Sequence, residues 1–384
     1  MERPLRILTI IGARPQIIKA AALSRAVRGP FAGRIVETLL HTGQHYDANM
    51  SQVFFDELGI PAADIELNIG SGAHGAVTAR MIEGIETVLL RREHDLVVLY
   101  GDTNSTLAGA VAAAKLHVPV AHIEAGLRSF NKRMPEELNR IICDHCSTWL
   151  FCPTDTAMTN LDLEGFNLEH RTRPTADLPQ VLQCGDVMYD NILHFSAMAL
   201  ERSKVLEVLG LNGKAFVLAT VHRDNNTDDA DRLNDIFSSL LDINTRHGLA
   251  IVVPVHPRTR KMMDTLLKPA LLEAMAAARG IHLVVPMGFL DMIALESSAR
   301  LVITDSGGVQ KEAYFFGKPC VILRQETEWV ELVERGQAEL VGTDPTRIGS
   351  AVEHYLRDGA PPCPPLFGDG HAAERICSQL LRFR

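Results

Sequence analysis

Near-continuous apolar runs, each closed by a cluster of Gly, Asp, Ser or Asn and followed by a helical segment, constrain this chain more than any other feature. Residues 5–11 form the first run, which turns through Gly12-Ala-Arg-Pro-Gln16 into a helix from about Ile17. Further runs at 35–40, 96–100, 118–123 and 149–152 follow, with an alanine-rich helix at 107–116. The pattern weakens across the Pro-, Thr- and Arg-rich stretch 169–179 and restarts after Asp186, at 216–220, 250–255, 282–285, 301–304 and 320–323. Runs that are apolar throughout, rather than alternating, predict parallel strands covered on both faces. At 384 residues the chain exceeds one ordinary core. The predicted architecture is α/β: two Rossmann-like, doubly wound parallel-sheet domains facing a cleft. Residues 1–186 form the first and 187–368 the second, and residues 369–384 a helix that crosses back to the first.

Bulk numbers narrow the function. The chain is 46% hydrophobic and 22% charged, as globular proteins are. No apolar run reaches the roughly 20 residues that span a bilayer. The first residues lead straight into a strand without a signal-peptide layout, which predicts a cytoplasmic protein with no membrane partner. A net charge of −9 argues against nucleic acid, which needs a basic face. Seven cysteines show no disulfide spacing. Cys143-Asp-His-Cys146, with Cys152 nearby, has no second ligand pair at zinc spacing and reads as core thiols.

In doubly wound sheets, ligands sit beyond the carboxyl ends of the strands. The polar residues that fall there are Arg14, Lys19, Gln44, His45, Asp102, Glu124 and Arg128 in the first half. In the second half they are His222, Arg223, His256, Arg258, Ser306 and Arg324. A positive cluster in an acidic protein suits an anionic ligand. Asp305-Ser-Gly-Gly308 closes an apolar run just where a helix begins. Its two glycines let backbone approach a ligand, and the helix start offers N–H groups and partial positive charge to phosphate. Glu312, one helical turn inside, is placed for a ribose hydroxyl pair. Arg324 is placed for a pyrophosphate. Asp102, Glu124 and Glu136 form a group of acids that, crowded together, would raise one another's proton affinity and exchange a proton near neutral pH. His222 adds a proton relay or a diphosphate contact. Plainer roles stand beside these: Asp102 as a helix cap, Glu136 as a first-turn helix acid, His222 as a strand-end polar residue. The Gly-x-Ser-x-Gly elbow, the Gly-x-Gly-x-x-Gly fingerprint and the Walker A loop are absent, which weakens hydrolase, nicotinamide and P-loop readings.

These segments occur together in one order. They are Ile11-Gly-Ala-Arg-Pro-Gln-Ile-Ile-Lys19, His41-Thr-Gly-Gln-His-Tyr-Asp47, Tyr100-Gly-Asp-Thr-Asn-Ser-Thr106 and His122-Ile-Glu-Ala-Gly-Leu-Arg-Ser129. Met134-Pro-Glu-Glu-Leu-Asn-Arg140, Thr220-Val-His-Arg-Asp-Asn-Asn226, Pro254-Val-His-Pro-Arg258 and Thr304-Asp-Ser-Gly-Gly-Val-Gln-Lys-Glu-Ala313 complete the set. Over nearly the whole chain they resemble the non-hydrolysing UDP-N-acetylglucosamine 2-epimerases. The resemblance implies a GT-B fold, a homodimer, a UDP-sugar substrate and a role in bacterial surface polysaccharide precursors, with no metal and no cofactor. It implies catalytic roles for Asp102, Glu124, Glu136 and His222, and substrate contacts from Arg14 and Lys19. UDP contacts are implied at His256, Phe289, Ser306, Gly307, Gly308, Glu312 and Arg324. Gln44 and His45 match part of a second, regulatory UDP-sugar site of some relatives. The implied chemistry removes the C2 proton as UDP leaves C1, then returns UDP to the 2-acetamidoglycal after protonation on the other face.

Two features depart from the usual pattern. An Arg-x-Glu-Asn segment is common after the catalytic histidine, where this chain has Arg223-Asp-Asn-Asn226. Tyr100–Ser105, Arg133-Met-Pro-Glu-Glu137 and Thr327-Glu-Trp-Val-Glu331 are closer to a branch acting on UDP-2,3-diacetamido-2,3-dideoxyglucuronate. Lys132 and Arg133 could answer its extra carboxylate or simply be solvated. Rival expectations are a hydrolysing epimerase, a GT-B glycosyltransferase and a catalytically silent nucleotide-sugar sensor.

Overall fold

The computed structural model describes residues 3–43, 59 and 62–382, apart from the Arg14 side chain. The strands are β1 (Leu5–Ile11), β2 (Ile35–His41), β3 (Ile65–Glu66), β4 (Leu96–Tyr100), β5 (Val120–Ile123), β6 (Trp149–Cys152) and β7 (Gln180–Gln183). They continue as β8 (Phe216–Thr220), β9 (Ala250–Pro254), β10 (Ile281–Val284), β11 (Leu301–Thr304), β12 (Cys320–Ile322) and β13 (Ala338–Leu340). A seven-stranded sheet runs β3-β2-β1-β4-β5-β6-β7, and a six-stranded sheet runs β10-β9-β8-β11-β12-β13. All recorded pairings are parallel, as the unbroken apolar runs predicted.

The chain divides into two compact units: 3–193 with 365–382 among the described residues, and His194–Pro364. The first division falls inside the helix Val187–Arg202, and the helix Ala372–Leu381 belongs to the first unit, where it lies against the helix Arg14–Arg28. Asp190 accepts from Ala372 N at 3.1 Å and Ala373 N at 2.8 Å, capping that last helix with a carboxylate.

Each unit is held by alternation within its buried strands. Val217, Ala219 and Val221 point to one face of the second sheet with Ile251, Val253, Leu301 and Ile303. There they meet Leu233, Ile236, Phe237 and Leu240 of the helix Ala230–His247. In the first unit Leu8, Ile10, Val97 and Leu99 meet Val77, Met81 and Ile85 of the helix His74–Leu89 and the small residues of the helix Asn104–Lys115. Cys143 joins that core, and Cys152 is fully buried in β6.

Sheet order reverses between β1 and β4, and again between β8 and β11. At such switch points the two outgoing loops part and leave a crevice. Half of the candidate residues, among them Lys19, Asp102, His222 and Ser306, follow these four strands.

Candidate active site

In the first unit the loops after β1 and β4 are tied together by Gln16. Its Oε1 accepts from Gly12 N at 2.9 Å and Ala13 N at 3.2 Å, while its Nε2 donates to Tyr100 O at 3.1 Å and Thr106 Oγ1 at 3.0 Å. One buried amide thus satisfies four groups across the switch point. From the same helix Lys19 reaches over Gly101 to Glu124, Nζ to Oε1 2.6 Å. Both side chains are nearly buried, at 12% and 9% exposure. Gly101 has φ +59, a conformation that favours glycine, and a Cβ there would lie 3.0 Å from Lys19 Nζ and push that amine aside. Glu124 itself has φ +72, a conformation that disfavours side chains. Strain of this kind gathers at functional sites.

Asp102 is not the helix cap: Thr103 is, accepting from Thr106 N at 3.3 Å. Instead Asp102 pairs with Arg140, and Asn139 Nδ2 donates to the Asp102 carbonyl at 2.8 Å. The helix Pro135–Cys146 supplies both partners. Arg140 also holds Glu137 at 2.8 Å. Glu137 accepts from Ser129 N and Phe130 N, each at 2.9 Å, and so closes the loop after β5. Burial raises the proton affinity of Glu137, yet those N–H groups and Arg140 outweigh it and leave the carboxyl below its ordinary value. Glu136, half-buried, stands in the first turn of that helix. The sequence suggested carboxylates crowded against each other. The structure gives Asp102 and Glu124 each a cation as a partner.

Beneath these acids lies a buried charge chain. His122 Nδ1 is 2.6 Å from Asp144 Oδ1 and its Nε2 is 2.8 Å from the Gly101 carbonyl. Asp144 also accepts from Gly126 N at 3.1 Å and pairs with Arg128 at 2.8 Å, so it is the carboxylate. Both ring nitrogens of His122 therefore face acceptors and both carry protons. Burial alone would lower the proton affinity of His122, but Cys143 and Asp144 push it well above the usual range. This imidazolium fixes the carbonyl that precedes Asp102.

Arg128 corrects an expectation. It is 2% exposed, and Nε and Nη2 grip Glu164 at 2.7 Å each, while Nη1 donates to Leu127 O at 2.7 Å. Its charge is used inside the unit, so it is a brace for the β5 loop rather than a substrate contact. The side chain of Arg14, together with Gln44 and His45, lies outside the described residues.

In the second unit Asp305 organises the site, though sequence reasoning gave it no role. Its side chain is fully buried. It accepts from His222 N at 3.1 Å, Arg223 N at 3.0 Å and Asn226 Nδ2 at 3.2 Å. His222 Nδ1 is 3.3 Å from Asp305 Oδ1. With Nδ1 turned to the carboxylate, Nε2 is left as the base. Burial, with Arg223 and His256, lowers the imidazole below its usual range despite Asp305, so it is ready to accept a proton at neutral pH. Asp224 and Asp228 both pair with Arg258, which accounts for the departing segment 223–226 as a braced turn.

Ser306 caps the helix Gly307–Phe315, its Oγ accepting from Val309 N at 3.5 Å. The hydroxyl proton remains to donate, beside the first-turn N–H groups that a helix leaves without internal partners. Arg324 is 6% exposed and 3.0 Å from Glu328, whose carboxylate fills the space where a Cβ on Gly307 would stand, 2.2 Å from Oε1. Arg324 lines a cavity of ≈ 220 Å³ with Asn225, Asn226, Arg232, Gln325 and Glu326. His256 caps the helix Pro257–Leu266 through Nδ1, 3.3 Å from Arg258 N, which leaves Nε2–H outward. Phe289 is 4% exposed and packs edge-on to Phe195 at 5.5 Å. Its ring is core, and the segment offers a ligand the start of the helix Phe289–Ser298. Lys311 lies 4.2 Å over the Trp329 ring, and Thr327 donates to Gln310 at 2.6 Å, so segment 327–331 packs as one piece with the Ser306–Glu312 turn.

Two parallel doubly wound units, one with acids at its switch point and one with a phosphate-ready turn, define a GT-B protein of the nucleotide-sugar class. A family model described as UDP-N-acetylglucosamine 2-epimerase matches residues 32–381, and the chain belongs to that family. A Pseudomonas aeruginosa relative named UDP-2,3-diacetamido-2,3-dideoxy-D-glucuronate 2-epimerase is 47% identical, over 98% of this chain and 100% of its own. A Methanococcus maripaludis UDP-N-acetylglucosamine 2-epimerase homolog is 44% identical, over 98% and 99%. The crystal structure of the Methanocaldococcus jannaschii UDP-GlcNAc 2-epimerase with UDP-GlcNAc and UDP superposes with TM-score 0.86 at 38% identity, covering 98% of this chain and 99% of that one.

Proposed function

We propose that this protein is a non-hydrolysing 2-epimerase of a UDP-activated 2-acetamido sugar, interconverting its gluco and manno forms. The observation that carries this is the Lys19–Glu124 pair over Gly101, at 2.6 Å, with Asp102 next in the chain. It sets carboxylates at the switch point of one unit, while the other unit carries an anion-binding turn. In the proposed reaction a carboxylate of the group Asp102, Glu124 and Glu136 takes the C2 proton. The C2–H electron pair becomes the C1=C2 double bond, and the C1–O bond breaks to release UDP. Protonation of the other face of C2 and return of UDP to C1 complete the inversion. The C2 hydrogen is weakly acidic, so leaving-group stabilisation must share the work. Ser306, Gly307, Gly308, Arg324 and His256 are assigned to UDP, with Glu312 on the ribose and His222 at the diphosphate or the proton. Lys19 and Arg14 are assigned to the substrate.

A second reading takes UDP-2,3-diacetamido-2,3-dideoxyglucuronate as substrate. It is favoured by the 47% identical relative of that name and by the packing of segment 327–331 onto the turn. Among the described residues no helix is long and apolar enough to cross a membrane. We assign the enzyme to the cytoplasm as a homodimer serving surface polysaccharide precursors. Incubation with each UDP-sugar, followed by NMR, tests the reading. An intact manno-configured UDP-sugar from either substrate supports it and names the substrate. Free sugar with UDP would make it a hydrolase, and inertness toward both would refute it.

A further inference from the structure

His122 stands in β5 two residues before Glu124, and at 0% exposure its ring cannot reach a sugar. Its bonds run instead to the two loops that carry acids. Nε2–H donates to Gly101 O at 2.8 Å, while Gly101 N donates to Ile123 O at 3.0 Å. Both backbone polar groups of Gly101 are thus fastened to β5, one residue before Asp102. On the far side of the ring Nδ1–H donates to Asp144 Oδ1 at 2.6 Å. The other oxygen of Asp144 accepts from Gly126 N at 3.1 Å, two residues after Glu124, and pairs with Arg128 at 2.8 Å. The pair is therefore a bridge: His122 grips the loop after β4, and Asp144 grips the loop after β5. Each loop turns through a left-handed residue, Gly101 at φ +59 and Glu124 at φ +72. A left-handed glutamate persists only where its surroundings over-determine it. Stability alone is a weak reason for such a bridge, because desolvation offsets the Coulombic gain of a buried ion pair.

We propose that the His122–Asp144 pair is a positioning device for proton transfer. With a proton on each ring nitrogen, His122 holds the Asp102 loop and, through Asp144, the Glu124 loop at one fixed separation. The reaction takes a proton from one face of C2 and delivers one to the other, so the spacing of the carboxylates matters as much as their charge. The inference rests on the assignment of Asp102 and Glu124 to the C2 proton.

Epimerisation kinetics of the full-length protein, expressed per folded molecule, test it with whichever of the two UDP-sugars the wild type turns over. His122→Phe occupies the space of the ring without its two N–H groups. It is expected to lower kcat about a hundredfold, the cost of displacing a reacting group by about 1 Å. KM and calorimetric UDP affinity are expected to stay within about twofold of the wild type. A residue that only stabilised the fold would lower the folded fraction and leave the kcat of folded molecules alone. Rescue forms the second arm. In His122→Gln the amide N–H can still donate to Gly101, but its oxygen faces the Asp144 carboxylate, and kcat is expected to fall. Adding Asp144→Asn gives that oxygen an N–H partner and is expected to bring kcat back to within about tenfold of the wild type. In the wild type, nitrogen NMR is expected to show both His122 ring nitrogens protonated well above about pH 6.5, where an ordinary imidazole titrates. A phenylalanine variant with wild-type kcat overturns the proposal, and so does a wild-type ring with one bare nitrogen at neutral pH. If the phenylalanine variant fails to fold, the glutamine variants decide: a double variant no faster than His122→Gln alone overturns the proposal. Solvent exchange separates the two levels. A wild type that moves no deuterium from D2O into C2 removes the proton-transfer reading and the bridge's role with it. Exchange in the wild type and equally in His122→Phe removes only the positioning role.

Discussion

Replacing Asp305 by alanine tests how the second unit builds its site. Asp305 ends β11 yet holds the loop after β8, accepting from His222 N, Arg223 N and Asn226 Nδ2 at 3.0–3.2 Å. Alanine leaves these three N–H donors without their acceptor. Each orphaned donor costs about 1–3 kcal/mol, and water entering the gap offsets part of it. The expected loss is about 3–5 kcal/mol, a large share of the stability of one domain. Asparagine keeps one oxygen acceptor and should lose roughly half as much. Urea unfolding measures the total, and amide hydrogen exchange on residues 221–227 shows whether the damage begins in this loop. The second consequence is electrostatic. Asp305 raises the His222 proton affinity against burial, Arg223 and His256, so its removal lowers the imidazole further. An NMR titration of His222 should therefore move to lower pH in Asp305→Ala. A stability loss under about 1 kcal/mol with unchanged loop protection would refute this account of the loop.

Arg128→Leu separates a brace from a ligand contact. It removes the guanidinium from Glu164 and from Asp144, which keeps His122 and Gly126 N, so stability should drop by about 1.5–3 kcal/mol while the KM of the folded protein for UDP-sugar stays put. A stable variant with raised KM would return Arg128 to the substrate. Glu137 makes a pH prediction. Its folded-state proton affinity is depressed, so its contribution is fully present above the ordinary carboxylate value of 4.5 and is lost as pH falls through the lower folded value. Glu137→Gln should flatten that acid limb of the stability curve, and an unchanged limb would show that its hydrogen bonds do not report on charge.

The central strands were legible because burial on both faces leaves an unbroken apolar run. β1, β4, β6, β8 and β11 fall where residues 5–11, 96–100, 149–152, 216–220 and 301–304 placed them. The strands the sequence did not reveal lie at the edges: β3, β7 and β13. Ile65–Glu66 spans two residues, and Gln180–Gln183 carries polar ends, so neither makes a run. The helix after β1 starts at Arg14 rather than Ile17, since Pro15 suits a first turn. At the site, strand-end position alone marked Asp102, Glu124, His222 and Ser306. It does not distinguish a side chain that faces a ligand from one that turns inward, which is why it places Arg128 with the substrate; Phe289 enters only through the resemblance. The supports were harder still. Asp144 stood inside Cys143-Asp-His-Cys146, where the cysteine spacing drew the eye and the acid between them made the contact. Asp305 and Gln16 act through partners from about 80 to 90 residues away, and no local pattern records such pairings.

The central claim is that carboxylates of the first unit move the C2 proton while UDP leaves and returns. The direct measurement is deuterium incorporation at C2 of the UDP-sugar in D2O, for the wild type, Asp102→Asn and Glu124→Gln, with UDP binding measured in parallel. The account predicts deuterium at C2 in both epimers with the wild type, loss of at least a hundredfold in exchange rate for the two variants, and UDP affinity preserved. Exchange at wild-type rates in Glu124→Gln, or epimerisation without solvent deuterium, would contradict it.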